Sequence, residues 1–281
     1  MYMKKIIFMI IGLAVVLSFT NCSSDNDDIV NPNNSAKNYL AEITVKEHKW
    51  KFGERSDFGE LYEQYFYNEK GKIVKFVTNY YIGVLESRML DSTIYTYDEK
   101  DRLVEKDEYF LLTSHYKYKY QYNEFDSVSV MHKYNKDGSL NETYYYEYDS
   151  SHRLNKETRL DSYYYGYVDT YAYDGNKITI THTDYKDGKL LSTTIREYDG
   201  HNNVLKSTYT DEDTGRTSLY EYQYEYDSKG RLIKKTFPEE IGTGKKMLNY
   251  SYNEDGTINT IHVSYTGNSI QSDLIYTYTW K

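Results

Sequence analysis

The sequence predicts an all-β fold: one long antiparallel meander of about eight or nine β-hairpin repeats, forming a curled, elongated sheet. Three observations predict it. A marker, Tyr-x-Tyr followed by Asp or Asn, recurs at nearly even steps. The strands that lead into it alternate tyrosine with polar residues. In every marker turn but the shorter one after Tyr173, the position four residues past the marker's second tyrosine is Gly, Asn, Asp or His, the residues enriched at positive φ.

Composition agrees. Leu, Ile, Val and Phe number 59 of 281 residues, few enough in a charged chain to suggest disorder, but 37 tyrosines supply the missing apolar area. Two prolines exclude a collagen-like or proline-rich chain, and one cysteine excludes a disulfide framework or a cysteine-based zinc site.

Residues 1–21 read as an export signal, with Lys4 and Lys5 ahead of an apolar stretch from Ile6 to Leu17, too short for a membrane helix. The only cysteine, Cys22, falls where cleavage is expected. This arrangement resembles a bacterial lipoprotein signal in the relaxed form familiar among Bacteroidota-type lipoproteins, with Phe19 and Asn21 where stricter versions carry Leu and a small residue. The resemblance implies lipidation of Cys22 and attachment through the lipid, and the acidic run just after it resembles the signal that sends such lipoproteins to the outer face of the outer membrane. Residues 22–38, beginning with Ser23-Ser24-Asp25-Asn26-Asp27-Asp28, are an acidic flexible tether. Without Lys4 and Lys5 the net charge is -11, which argues against nucleic acid as a partner.

Residues 39–281 form a single repeat domain. Its markers end at Tyr67, Tyr97, Tyr122, Tyr148, Tyr173, Tyr226 and Tyr252, with a variant at Tyr198 and a closing copy at Tyr278. The steps between them are 30, 25, 26, 25, 25, 28, 26 and 26 residues. In Tyr226-Asp227-Ser228-Lys229-Gly230-Arg231-Leu232, the Asp opens a type I turn by capping the backbone two residues on, and Gly230 takes the positive φ of a G1 bulge. The equivalent positions are Gly71, Asp101, Asp126, His152, Asn202 and Gly256. This geometry sets Tyr226 opposite Leu232, and Asp227 beside Arg231 on the other face. Asp174-Gly175-Asn176 is one residue shorter and predicts a tighter turn. A looser turn, as at Lys136-Asp137-Gly138, Lys186-Asp187-Gly188 and Asp213-Thr214-Gly215, separates consecutive markers, so the domain should hold about 16 to 18 short strands. Tyr116, Tyr118, Tyr120 and Tyr122 share one face of their strand, and Tyr220, Tyr222, Tyr224 and Tyr226 another, both expected on the concave side. Simple alternation puts Lys234 and Thr236 on that tyrosine face too.

Tyr-x-Tyr-Asp-x-x-Gly-Arg-Leu, as at Tyr224 to Leu232, resembles the YD repeat of the RHS family, and the resemblance covers the chain from about Tyr62 onward. It implies an RHS-shell-like hairpin sheet; it does not imply an activity. The chain looks more like the small lipid-anchored repeat proteins of Bacteroidota-type bacteria.

Catalytic signatures are missing. The seven histidines form no paired metal motif, and no Gly-x-Ser-x-Gly elbow occurs. No cofactor motif is present; Gly242-Thr243-Gly244-Lys245-Lys246 lacks the spacing of a phosphate loop, and Asp211-Glu212-Asp213 lacks that of a calcium loop. The candidate ligand-binding residues are Tyr145 and Tyr164. Each lies between two tyrosines, and if Tyr144, Tyr146, Tyr163 and Tyr165 point inward, these two face solvent. The expected function is a non-enzymatic binding or scaffold role with a glycan or protein ligand. The alternatives are an RHS-like structural shell or immunity-type partner, and a glycan-active enzyme using paired carboxylates.

Overall fold

The computed structural model describes residues 40–51, 54–82, 87–110, 114–163, 165–240, 244–266 and 271–280. The signal 1–21, Cys22, the tether 22–38 and Tyr164 lie outside the described residues. Those described form strands and turns. The first ten strands are β1 (Leu40–Lys51), β2 (Glu54–Tyr67), β3 (Ile73–Ile82), β4 (Ser87–Tyr97), β5 (Leu103–Phe110), β6 (Ser114–Tyr122), β7 (Val128–Tyr134), β8 (Leu140–Tyr148), β9 (Leu154–Asp161) and β10 (Gly166–Asp174). The rest are β11 (Lys177–Asp184), β12 (Leu190–Tyr198), β13 (Val204–Asp211), β14 (Thr217–Glu221), β15 (Gln223–Tyr226), β16 (Leu232–Glu240), β17 (Gly244–Tyr252), β18 (Ile258–Tyr265) and β19 (Gln271–Trp280).

Neighbours in sequence pair antiparallel, and β1 pairs with β2 on one side and β19 on the other. The meander thus curls into one nearly closed, barrel-shaped sheet, as a twisted sheet of this length tends to do. β14 and β15 are two parts of one strand interrupted at Tyr222: β13 pairs with the first and β16 with the second. Nineteen strands therefore fill eighteen places.

The marker turns form as their residues dictate. Asp227 Oδ1 accepts the backbone N–H groups of Lys229 and Arg231, both at 2.9 Å. Asp98, Asn123, Asp149 and Asp199 do the same in their own turns. All seven expected positions have positive φ, including the non-glycines Asp101 (61°), Asp126 (59°), His152 (59°) and Asn202 (62°). Tyr226 lies opposite Leu232, and Arg231 clasps Asp227 at 2.7 Å. The shorter turn pairs Asp174 directly with Lys177.

A second bulge corrects the simple alternation. In each hairpin with the longer marker turn, the residue after the aliphatic one is left unopposed: Tyr226 pairs with Leu232 but Glu225 with Lys234, so Ile233 is extra. The same shift occurs at Val74, Val104, Ser129, Asn155, Leu205 and Asn259, and is absent at the short turn. The extra residue flips the returning strand by one position. Lys235, not Lys234 or Thr236, therefore faces the tyrosines, with its ammonium 5.6 Å from the Tyr224 ring, while Lys234 pairs with Glu225 on the other face.

The buried cluster of Ile43, Val45, Tyr65, Leu248, Ile261, Val263 and Tyr276 gathers strands on both sides of the β1 closure. It shares its face with the marker tyrosines, and a closed sheet with no second layer can turn that face only inward. The tyrosines also join one repeat to the last. Tyr97, Tyr122, Tyr148, Tyr173 and Tyr252 donate their hydroxyls to the carbonyls of Ile73, Leu103, Val128, Leu154 and Leu232, at 2.6–2.8 Å. Each acceptor is the aliphatic residue following the preceding turn. Arg102, Arg153 and Arg231 add to this, each lying over the next repeat's marker ring at 4.3–4.6 Å.

Candidate ligand-binding surface

The flip introduced by the second bulge places charge among the inner tyrosines. Arg159 and Glu142 meet at 2.6 Å, Tyr144 donates to the same carboxylate at 2.6 Å, and Lys133 stands 3.7 Å away. Burial opposes ionisation of Glu142, but these hydrogen bonds and charges outweigh it and hold its carboxyl below the usual range. Burial pushes Glu157 up, and Asp169 beside it adds to the effect. Lys106 pairs with Glu108 at 2.7 Å and lies 4.2 Å from the Tyr118 ring. These groups mainly satisfy one another, which is what burial of charge requires.

The outer surface offers aromatics with fewer obligations. Tyr145 is 43 % exposed on the outer face of β8, between Val130 and Thr158 of the adjoining strands. Its neighbours Tyr144 and Tyr146 are half-buried, as the alternation requires. Tyr164 lies outside the described residues, but the premise about its neighbours does not hold. Tyr163 and Tyr165 do not point inward: they are 78 % and 61 % exposed, because β9 ends at Asp161 and β10 starts at Gly166. Asp161 Oδ1 accepts the N–H groups of Tyr163 and Tyr165, both at 2.8 Å, so the segment is an Asx-capped turn. The Asp161-Ser162 pair ahead of the tyrosines is the signal that marks it. Gly166 completes the turn, since a Cβ there would stand 1.8 Å from the Arg159 carbonyl oxygen.

Two further turns follow this one along the rim. Residues 184–189 turn about Asp184 and Gly188, and expose Tyr185 to 44 %. The Lys186 ammonium sits 3.4 Å from the centroid of the Tyr165 ring. Tyr185 N–H donates to the Gly166 carbonyl at 3.1 Å, and Glu212 N–H to that of Leu191 at 3.0 Å. Lys189 and Asp213 close the second junction at 2.6 Å. Three consecutive looser turns are thus tied together into one rim sector that presents Tyr163, Tyr165 and Tyr185. Sequence reasoning passed over Tyr163, Tyr165 and Tyr185 as ligand residues. The chain enters the barrel at the other rim, because Glu42 lies opposite Gln64, close to the first marker turn.

Among the described residues no group of three His, Cys, Asp or Glu side chains could hold a metal ion.

No protein-family model matches the chain, and no curated protein matches it. Among solved structures it is similar to a porin-like protein from Bacteroides uniformis, at a TM-score of 0.47 and 10% identity over 85% of this chain and 98% of that one. A porin-like protein from Bacteroides vulgatus follows at 0.34 and 12%, covering 83% and 97% of the two chains. A TcdB2-TccC3 structure is similar at 0.38 and 12% over 86% of this chain, which spans 13% of that one. None of these likenesses carries a function across.

Proposed function

We propose that this is a lipid-anchored, surface-exposed binding protein of the outer membrane, without catalytic activity, that holds a glycan on the rim built from turns 161–165, 184–189 and 211–216. The observation that carries the reading is the exposure of Tyr163, Tyr165 and Tyr185 side by side on turns tied to one another. Aromatic faces held rigidly in solvent stack on sugar rings, and the surrounding Asp, Lys and Thr side chains supply hydrogen bonds. Placement supports it, since the rim lies opposite the end where the chain leads back toward Cys22. The hairpin geometry also supports kinship with YD repeats.

The test is a polysaccharide array with the full chain. Binding to at least one glycan is expected, with a loss of about tenfold or more in the Tyr163→Ala/Tyr165→Ala variant, the size of one good aromatic contact. No binding across the array, or equal binding by the variant, overturns the reading. Anchoring is tested separately: Cys22→Ser should abolish incorporation of labelled fatty acid.

A further inference from the structure

The marker turns stand side by side along the rim where the chain enters, and clefts open between them. One cleft, about 440 Å³, lies between the turns at 68–72 and 98–102; another, about 450 Å³, lies between those at 123–127 and 149–153. They are the same site two repeats apart. Asn68, Lys70, Val74, Tyr97, Asp98 and Asp101 line the first, and Asn123, Phe125, Ser129, Tyr148, Asp149 and His152 occupy the same repeat positions in the second.

The repeat provides its own control. In three successive turn pairs the third residue of one turn reaches the positive-φ residue of the next. In the first cleft this is an ion pair, Lys70 to Asp101 at 2.8 Å, and in the intervening turn pair Lys100 lies 3.8 Å from Asp126. In the second cleft the same two positions hold Phe125 and His152, with ring centroids 4.6 Å apart. Phe125 is 57 % exposed. Two neighbouring turns show that the hairpin array needs no aromatic here, and Phe125 and His152 together form an aromatic wall on the cleft.

We infer that the cleft under Phe125 and His152 is a second carbohydrate subsite, separate from the tyrosine rim, and that it takes one or two neutral sugar rings. The volume lies in the roughly 300–1,000 Å³ range of small-molecule sites. Its carboxylates are already matched, Glu147 by Lys156 at 2.7 Å and Asp149 by Arg153 at 2.8 Å, so no net charge selects an ion. What remains is a ring to stack on, bordered by amide, hydroxyl and paired carboxylate edges. Tyr145 belongs to the same outer face of β8 as Glu147, two residues along the strand, and extends the aromatic surface beyond the cleft.

The experiment replaces the aromatic pair by the pair found at the sister turns, Phe125→Lys with His152→Asp, which keeps the rim's own packing solution. Full-length wild type, this double variant, and Tyr163→Ala/Tyr165→Ala are titrated calorimetrically with maltose, cellobiose, lactose and N,N′-diacetylchitobiose. Wild type and the Tyr163/Tyr165 variant should bind at least one of these, and the double variant should bind it about tenfold more weakly or not at all. No binding of any disaccharide to wild type, or unchanged binding by a folded double variant, overturns the subsite. Loss of binding only in the Tyr163/Tyr165 variant also overturns it, while leaving the proposed function standing.

Discussion

Replacing Tyr122 by Phe removes one oxygen and leaves the ring in place. The hydroxyl donates to the Leu103 carbonyl at 2.7 Å, and Arg102 lies over the ring at 4.6 Å. Phe keeps the packed area and the cation contact, so only the hydrogen bond is lost, a cost of about 1 kcal/mol. In a domain of this size that lowers Tm by about 2–4 °C. Tyr122→Leu also loses the ring and should cost about 2–3 kcal/mol. Tyr145→Phe is the control: its ring is exposed on the other face, and its effect should stay within about 0.5 kcal/mol. Tyr97 and Tyr148 make the same bond at distant repeats, so the double Phe variant should lose about 2 kcal/mol, additive within about 0.5 kcal/mol. Urea unfolding followed by circular dichroism reads all four. If Tyr122→Phe is no worse than Tyr145→Phe, the marker hydroxyls do not hold successive repeats together.

Three other predictions concern stability. Burial pushes the Glu63 carboxyl up, and Glu63 is 3 % exposed. A carboxyl raised in the folded state contributes stability at acid pH that is lost as pH rises through its folded value. Glu63→Gln should therefore match wild type near pH ~4 and melt higher near pH ~8, and identical melting curves at both would contradict this. Burial also pushes Tyr97, Tyr250 and Tyr278 up to about 12. Their contribution is complete below the unfolded value of about 10 and disappears as pH climbs through 12. The last part of the tyrosinate absorbance should accordingly appear together with loss of β-structure; complete ionisation of a folded protein would rule it out. Finally, Gly166→Ala forces a Cβ to 1.8 Å from the Arg159 carbonyl, so it should destabilise strongly and free the 161–165 turn, detectable as new proteolysis there.

Much of the fold was legible because a turn residue declares its backbone. His152 and Asp101 sit where only a few residue types tolerate the required φ, so the hairpin register could be read directly, down to Tyr226 opposite Leu232. The second bulge was not legible. Ile233 and Val104 look like ordinary strand residues, and nothing in their chemistry says that they lie unopposed; the twist of the closed sheet demands it. Closure itself was hidden for a similar reason, since pairing of Ile43 with Tyr278 is a contact across the whole chain length and leaves no local trace. The break at Tyr222 falls in the unit with the 28-residue step, an irregularity that could have drawn notice. On the outer face, the exposure of Tyr145 followed from alternation. Tyr163 and Tyr165 were misplaced because the tyrosine count outweighed the Asp-Ser turn in front of them, and Phe125 was missed because turn aromatics lie outside any strand pattern.

The meeting of β1 with β19 has a topological consequence. Leu40 and Trp280 are cross-strand partners, so the first strand of the barrel begins beside the end of the last. A short linker joining these two strand ends, with new ends cut at Lys136-Asp137-Gly138, should give a circular permutant with the same barrel. Any natural gain or loss of a hairpin would have to widen or narrow the whole circumference at once, so the number of repeats is set by the requirement that the last strand find the first.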